Sequence, residues 1–528
     1  MNKLHGCKRT FGLLGAVATV AAALAFSAPA RADGGIPRAY GILFEPGKPS
    51  HILVHSQYWG LFDGQAGGTS WNMLCSQDFG GRALDADNYA TVLAQGGRIL
   101  VAGQFNGLMI SDDNCNWKQI DAFNMESVQG IAPVDSMGKS FVAVTVLGTA
   151  DGVTSRVYTS TDRGDTWTAT KGTIPKDTSM ANVGVAPSDP KRIYVVGVVI
   201  NGGPRQIAVS MDGGDTFTVS PVGDMSMYDP TLIKPLSVAA ILPNDPNTLF
   251  VRADGGDMQG AQAPDELWVS SDAGKTWKLV YSPTDPNDLP GFALTPDGKN
   301  VLISGPAEGI KQAALADAIA AKPNAFTQIY KGQVWGLAFQ GDTLYAGNDD
   351  YNMKPSFTVG MSTDGGKTFS KVMTKCEVTF PTCDMSSTNT MVCSEQWTRQ
   401  GGYVTDYLDN ACGLGGMGGM GGMSGGGAGP TGGSTSAGVG GVATSTGGTT
   451  TATTGATTGA GGSTSSGESG APAGAAAGGS AGQTASKSSS GCSCSAVRET
   501  GSPLAMWLVA GAAFGLDAWR RRRGAKKG

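Results

Sequence analysis

One short phrase recurs along this chain and limits what it can fold into. It reads Ser160-Thr161-Asp162-Arg163-Gly164-Asp165-Thr166-Trp167, then Ser210-Met211-Asp212-Gly213-Gly214-Asp215-Thr216-Phe217. Two more copies are Ser271-Asp272-Ala273-Gly274-Lys275-Thr276-Trp277 and Ser362-Thr363-Asp364-Gly365-Gly366-Lys367-Thr368-Phe369. A worn copy runs Ser111-Asp112-Asp113-Asn114-Cys115-Asn116-Trp117, and a sixth candidate joins Asp63-Gly64 to Thr69-Ser70-Trp71. The aspartates stand at 63, 113, 162, 212, 272 and 364, so their steps are 50, 49, 50, 60 and 92. The last step is nearly two repeats, which places a decayed copy near residue 318. Self-similarity at this period means an array of small supersecondary units, none able to bury its apolar face alone.

A second signal keeps the same period. Apolar runs follow turn residues at Ile52-Leu53-Val54, Ile99-Leu100-Val101, Phe141-Val142-Ala143, Ile193-Tyr194-Val195, Leu249-Phe250-Val251, Val301-Leu302-Ile303 and Leu344-Tyr345-Ala346. Punctuation such as Pro46-Gly47, Gly96-Gly97, Asp189-Pro190 and Asp297-Gly298 marks them as strands. Seven runs about 49 residues apart, with room for four strands each, predict an all-β, seven-bladed β-propeller over residues 33–375. A β-solenoid is the rival arrangement. The run at 301 survives where the phrase is lost, so that blade is expected without its corner. A helical stretch over 312–321 is expected to decorate it.

The phrase resembles the Asp-box (BNR repeat) of sialidases, sortilin-type receptors and related propellers. Its chemistry follows from the residues themselves. The carboxylates of Asp113, Asp162, Asp212, Asp272 and Asp364 fold back onto turn N–H groups and onto the hydroxyls of Thr166, Thr216, Thr276 and Thr368. Gly164, Gly214, Gly274 and Gly366 allow a backbone shape that a β-carbon hinders. Trp117, Trp167, Phe217, Trp277 and Phe369 turn inward as anchors of the next strand. These carboxylates are structural, because acid–base work needs a carboxyl group free to exchange protons.

The ends carry an address. Lys3, Lys8 and Arg9, the apolar stretch Leu13 to Phe26 and Ala30-Arg31-Ala32 read as a signal peptide over 1–32. Residues 413–490 are almost wholly Gly, Ser, Thr and Ala, and Gly supplies 81 of the 528 residues. Such a segment cannot offset its chain entropy, so it is expected to be a disordered tether. Its reach runs from about 50 Å as a coil to roughly 250 Å stretched. Then come Cys492 and Cys494, an uncharged apolar run from Leu504 to Leu516 that extends through Trp519 to a candidate span at 503–519, and Arg520 to Arg523. Seventeen residues are the lower limit for a bilayer span, and the arginines would hold that end in the cytoplasm. A short Cys motif, a marginal span and an Arg cluster resemble the C-terminal sorting tail of myxobacterial surface proteins. This implies delivery to the cell surface and processing at Cys492 or Cys494 by a sorting protease; a plain single-pass anchor is the alternative.

Six cysteines remain in the exported part: Cys75, Cys115, Cys376, Cys383, Cys393 and Cys412. Disulfides are the default in an oxidising compartment. The Cys-rich extension 376–412 is expected to pack on the propeller, with Cys376–Cys383 as a local loop. The spacings lack the close pairs of a zinc site.

Charge and composition narrow the function. The net charge is −5 with basic residues gathered at both ends, so the middle is acidic and nucleic acid is a poor partner. The two histidines left after signal removal, His51 and His55, alternate along a strand roughly 13 Å apart, too far to share an ion. No resident metal or cofactor is expected. An acidic loop with Asp254, Asp257, Asp265 and Glu266 could offer oxygens to calcium, although its spacing is not that of an EF-hand. Tyr58, Trp59, Trp335, Asp349, Asp350 and Tyr351 are weak nominations for a ligand surface. The arginine triad that the sialidase resemblance would require is not marked. The expected function is therefore a monomeric, surface-tethered propeller that binds an extracellular protein or polysaccharide without catalysis. The alternative is an exported glycoside hydrolase, sialidase-like or xyloglucanase-like, with a carboxylate pair in the central pocket.

Overall fold

The computed structural model describes residues 38–57, 59–76, 90–103, 107–123, 126–223, 235–255, 263–284, 288–349, 356–380 and 382–391, together with Cys393, Ser394, Trp397 and Cys412. The expected signal peptide, tether and sorting tail lie outside these residues. Among the described residues no helix is long and apolar enough to cross a membrane.

Seven antiparallel sheets follow one another along the chain, each a meander of four consecutive strands. They span residues 39–74, 90–119, 127–169, 178–221, 236–281, 291–330 and 336–373, numbered here as blades 1 to 7. The first strand of every blade touches the first strand of the next, and Ala39–Glu45 of blade 1 meets Gly336–Gln340 of blade 7. The ring is closed. All seven apolar runs picked out in the sequence are second strands, from Lys48–Ser56 in blade 1 to Thr343–Gly347 in blade 7. Ile52, Leu53, Val54, Leu249, Phe250 and Val251 are fully buried. A strand covered on both faces by neighbouring blades needs no polar side, which is why these segments read as continuous apolar runs.

Seven apolar clusters fill the seven blade interfaces, and each takes an anchor from the last turn of one blade. Trp117 joins blades 1 and 2, and Trp167 joins blades 2 and 3. Phe217, Trp277 and Phe369 serve the 3–4, 4–5 and 6–7 interfaces. Trp71 serves the seam between blades 7 and 1. In blade 6 the corner is replaced by a short helix, Leu315–Ile319, whose Ala318 is buried with Phe326 beside it. This helix is the expected decoration, though Gln312 to Ala314 remain strand.

The turns behind these anchors are built alike. In blade 5, Asp272 Oδ1 accepts the Thr276 N–H at 2.8 Å and Oδ2 accepts the Thr276 hydroxyl at 2.6 Å. The Ser270 hydroxyl donates to Asp272 at 2.8 Å and accepts the Gly274 N–H at 2.8 Å. Ser270, two residues before the aspartate, fills this place; the neighbouring Ser271 opens the sequence phrase but not the turn. Asp162, Asp212 and Asp364 repeat the pattern with Thr166, Thr216 and Thr368. In the worn copy Asn116 substitutes for Thr, and its side-chain amide donates to Asp113 at 2.9 Å. Gly214 has φ +100°, and a β-carbon there would sit 2.5 Å from Thr170 Cγ2. At Gly164, φ is +88° and the clash would be with Leu100 at 2.6 Å. Hydrogen bonding holds these carboxylates below their ordinary range, furthest at Asp212 and Asp364, where the Thr hydroxyl contributes most. Replacing Asp272 by Ala is expected to cost about 1 kcal/mol in guanidinium unfolding, since solvent screens much of the bonding. An unchanged midpoint would remove Asp272 from the list of stabilising corners.

Asp63 departs from the expectation. It lies within the strand Gly60–Gln65 rather than in the turn after it. The register Ile52↔Gly64 puts Gly64 where Ser270 stands in blade 5, opposite Leu249. Blade 1 keeps the Trp anchor and has no aspartate at its corner.

The disulfides correct the expected pairing. Cys376 bonds Cys412, not Cys383; Cys383 bonds Cys115, and Cys393 bonds Cys75. After blade 7 the chain forms a two-residue strand, Val378–Thr379, parallel to the outer strand of blade 1. It then reaches the corner of blade 2, where the Asn389 N–H donates to the Cys115 carbonyl at 3.0 Å. A short local bridge would have left this segment unfixed. The observed pairs fasten it to two blades.

Candidate functional site

A four-strand meander sends its 1–2 and 3–4 turns to one end of the ring and its 2–3 and inter-blade connections to the other. The aspartate corners therefore occupy one end, and the acidic segment around Asp254 the opposite end. At that second end a small central pocket is lined by Tyr40, Ser237, Arg252, Leu289, Phe292 and Leu337 among others, from blades 1, 5, 6 and 7.

Charged groups converge beside it. Asp265 is 1% exposed; its Oδ1 accepts the Gly255 N–H at 2.7 Å and its Oδ2 the Leu289 N–H at 2.8 Å. Arg252, also buried, donates to the Leu289 carbonyl at 3.0 Å. The Ser282 hydroxyl donates to the Asp265 carbonyl at 3.1 Å. Asp265 thus ties the 2–3 connection of blade 5 to the crossing into blade 6. Burial pushes its carboxyl up to about 7, with the Asp254 charge adding and Arg252 opposing. Asp288 is raised by the same causes, burial first and Asp254 next, against Arg252 and Arg38.

An aromatic patch borders this cluster. Arg38 stacks 4.4 Å above the Trp335 ring, and Tyr40 meets that ring edge-on at 5.3 Å. Arg38 and Tyr40 both donate to Gln57 Oε1, at 3.3 and 3.2 Å. On blade 3, buried Glu126 accepts from the Thr145 hydroxyl at 2.5 Å, from Arg156 at 2.8 Å and from the Tyr158 hydroxyl at 3.1 Å.

Of the nominated ligand surface, Trp59, Trp335 and Asp349 are buried, so the two rings act in packing rather than as an open face. Tyr58, Asp350 and Tyr351 lie outside the described residues, as does Asp257 of the acidic loop. Glu266 is paired with Arg205 at 2.7 Å and accepts from Trp268 Nε1 at 2.9 Å. Glu266 Oε2 and both oxygens of Asp265 are thus engaged by the protein itself; the middle of the suggested calcium loop lies outside the described residues. Among the described residues no three His, Cys, Asp or Glu side chains converge to hold a metal ion. Arg252, Asp288 and Glu126 escaped the sequence reading, because their partners come from other strands and connections. Only the density of aspartates after Arg252 pointed there.

The two histidines differ sharply. His55 is wholly buried and held neutral, pushed down to about 3 by desolvation. His51 sits between two carboxylates, Nδ1 2.6 Å from Glu45 and Nε2 2.5 Å from Asp63. Glu45 also accepts the Gly96 N–H at 2.8 Å, which carries the contact into blade 2. The Asp63 hydrogen bond, opposed by burial and helped by Glu45, raises His51 above its ordinary 6.5. The charged bridge therefore contributes fully below about pH 6.5 and is lost as pH rises through the raised folded value. Unfolding free energies measured along a pH series should fall across that window, and His51→Gln should flatten the fall. An identical slope in both proteins would exclude the bridge as its cause.

No protein-family model matches this sequence, and no curated protein matches it. Among solved structures, the chain is similar to the GH74 xyloglucanase from Xanthomonas campestris at 13% identity and a TM-score of 0.29, covering 62% of this chain and 63% of that one. It is similar to YCF48 bound to D1 peptide at 14% identity and a TM-score of 0.33, over 54% and 83%. It is also similar to the β-propeller domain of Myceliophteria thermophila Cps50 (Swd1) at 9% identity and a TM-score of 0.39, over 60% and 93%. The match thus spans under two thirds of the xyloglucanase.

Proposed function

We propose that this protein is an exported, surface-tethered propeller that binds an extracellular protein or polysaccharide at the end of the ring around Tyr40 and Arg252, without catalysing a reaction. The observation that carries this reading is the state of the carboxyl groups there. Asp265 gives both oxygens to backbone N–H groups, and Glu126 is saturated by Thr145, Arg156 and Tyr158. Groups so engaged order a surface more readily than they exchange protons with a substrate. The three disulfides support an oxidising destination. The aspartate corners support kinship with Asp-box propellers. The tail at 491–528 is read as the anchor, with Cys492 or Cys494 as the place where a sorting protease acts.

One observation favours a second reading, an exported glycoside hydrolase. Burial raises both Asp265 and Asp288 beside Asp254, Asp265 to about 7, and a carboxyl raised above its ordinary range is what a general acid requires. A panel of chromogenic glycosides, sialosides included, separates the two when run beside polysaccharide co-sedimentation. Binding without turnover is the expected outcome. Turnover that disappears on Asp288→Asn or Asp254→Asn would replace the binding reading with the hydrolase.

A further inference from the structure

The junction between blades 7 and 1 differs from the other six. Each of the others is crossed by the chain passing directly from one blade to the next; this one joins the first blade to the last. The four meander strands of each blade come from one continuous stretch, and the one strand added across this junction is Val378–Thr379, on the outer edge of blade 1. Its direct contacts include packing around Trp71, Ala338, Tyr345 and Met373, the Arg38 and Tyr40 contacts with Trp335, and the Ala39 N–H donated to the Asn348 carbonyl at 3.1 Å. The only backbone that crosses it in the described residues runs along the outer edge, from blade 7 into Val378–Thr379 and on to the corner of blade 2.

Two disulfides pin that strap, and their surroundings differ. Cys75 and Cys393 are both fully buried, beneath the strap. Cys115 and Cys383, at its far end, are only partly buried. The strap also grips blade 2 through the Trp117 N–H on Thr388 Oγ1 at 3.1 Å and the Thr388 hydroxyl on the Cys115 carbonyl at 3.1 Å. We propose that this strap is a two-stage, redox-cleavable lock on the ring: Cys115–Cys383 is an outer latch open to a dithiol reductant, and Cys75–Cys393 is an inner bolt that the latch shields. The proposal goes beyond the binding reading and stands whether or not that reading holds.

The chemistry is thiol–disulfide exchange. A thiolate of the dithiol attacks one sulfur of Cys115–Cys383 and expels the other as a thiolate. The second thiol of the reagent then closes its own disulfide and releases the remaining cysteine. The reagent loses two electrons, and two protons end on the two cysteines. Rate depends on access to the attacked sulfur, so the partly buried outer pair reacts before the fully buried inner one. Freed of Cys383, the strap holds blade 2, among the described residues, chiefly by the hydrogen bonds at Thr388 and Asn389. Its lifting uncovers the inner pair, and release of that pair leaves the seam to its packing, the Ala39–Asn348 hydrogen bond and the two-residue pairing of Val378–Thr379.

The test is timed exposure of the folded full-length chain to dithiothreitol at neutral pH, quenched with iodoacetamide and mapped by peptide mass spectrometry. Cys115 and Cys383 should be alkylated at least ten-fold faster than Cys75 and Cys393. In a Cys115→Ser/Cys383→Ser variant, labelling of Cys75 and Cys393 should accelerate at least ten-fold. Thr388→Val keeps every disulfide and should accelerate it more modestly, which provides a readout if the double variant folds poorly. After complete reduction, amide exchange in Ala39–Glu45 and Gly336–Gln340 should rise at least ten-fold, with Thr178–Ala186 in blade 4 unaffected. Equal labelling rates for the two pairs in the native chain would overturn the order of release. Inner-pair rates unchanged by both variants would overturn the shielding, and exchange that rises equally in all blades would overturn the seam as the element released.

Discussion

Replacing Cys75 and Cys393 by alanine should lower the unfolding free energy by about 4 kcal/mol in guanidinium titration, and removing Cys115–Cys383 as well should bring the total to about 10 kcal/mol. The second removal costs more than the first for a geometric reason. The bridges close loops of 318 and 268 residues that largely overlap. With either one intact, opening the other frees only the side loop between them, about 50 residues in the entropic account. Opening both frees nearly the whole ring. Cys376–Cys412 closes 36 residues that include Cys383 and Cys393, so it shares part of the same circuit and its loss should not add independently. Two single-bridge losses that sum to the loss in the double variant would refute the shared circuit.

Trp71→Ala should cost about 3–5 kcal/mol, among the largest effects of a single side chain in this fold. Trp71 is fully buried at the seam. Its ring fills the space a β-carbon would need at Gly64, 2.4 Å away in the closest approach, so the neighbouring strand cannot close the void without shifting. Its carbonyl also accepts the Thr379 hydroxyl of the strap at 3.3 Å, and a backbone shift would pass into the clasp. Phe369, only partly buried at the next interface, should cost less on the same change. A Trp71 variant within 1 kcal/mol of the parent would mean that the seam is held by the strap and not by its core.

The blade count was legible because two independent signals share one period, the aspartate corners and the twice-covered second strands. Blade 6 shows why two were needed: its corner has become Leu315–Ile319, while Val301 to Ile303 still mark the sheet. Blade 1 misled in the opposite way. Trp71 correctly marked an anchor, but Asp63 lies in a strand and faces His51, and spacing alone cannot tell a strand position from a turn two residues on. The disulfides could not be deduced, since Cys75 and Cys393 meet only because the ring closes. The central cluster was half visible. Aspartates 254 and 265 lie in one acidic stretch, but Arg252 and Asp288 join them through packing between strands and connections that sequence order does not reveal.

Because every blade is made from one unbroken stretch of chain, the circle has no intrinsic first member. New termini placed in the crossing between blades 5 and 6, with the old ends joined by a short flexible peptide, should still yield a complete circle. Only the strap breaks this equivalence: it assigns a start and a finish to an architecture that is otherwise indifferent to where reading begins.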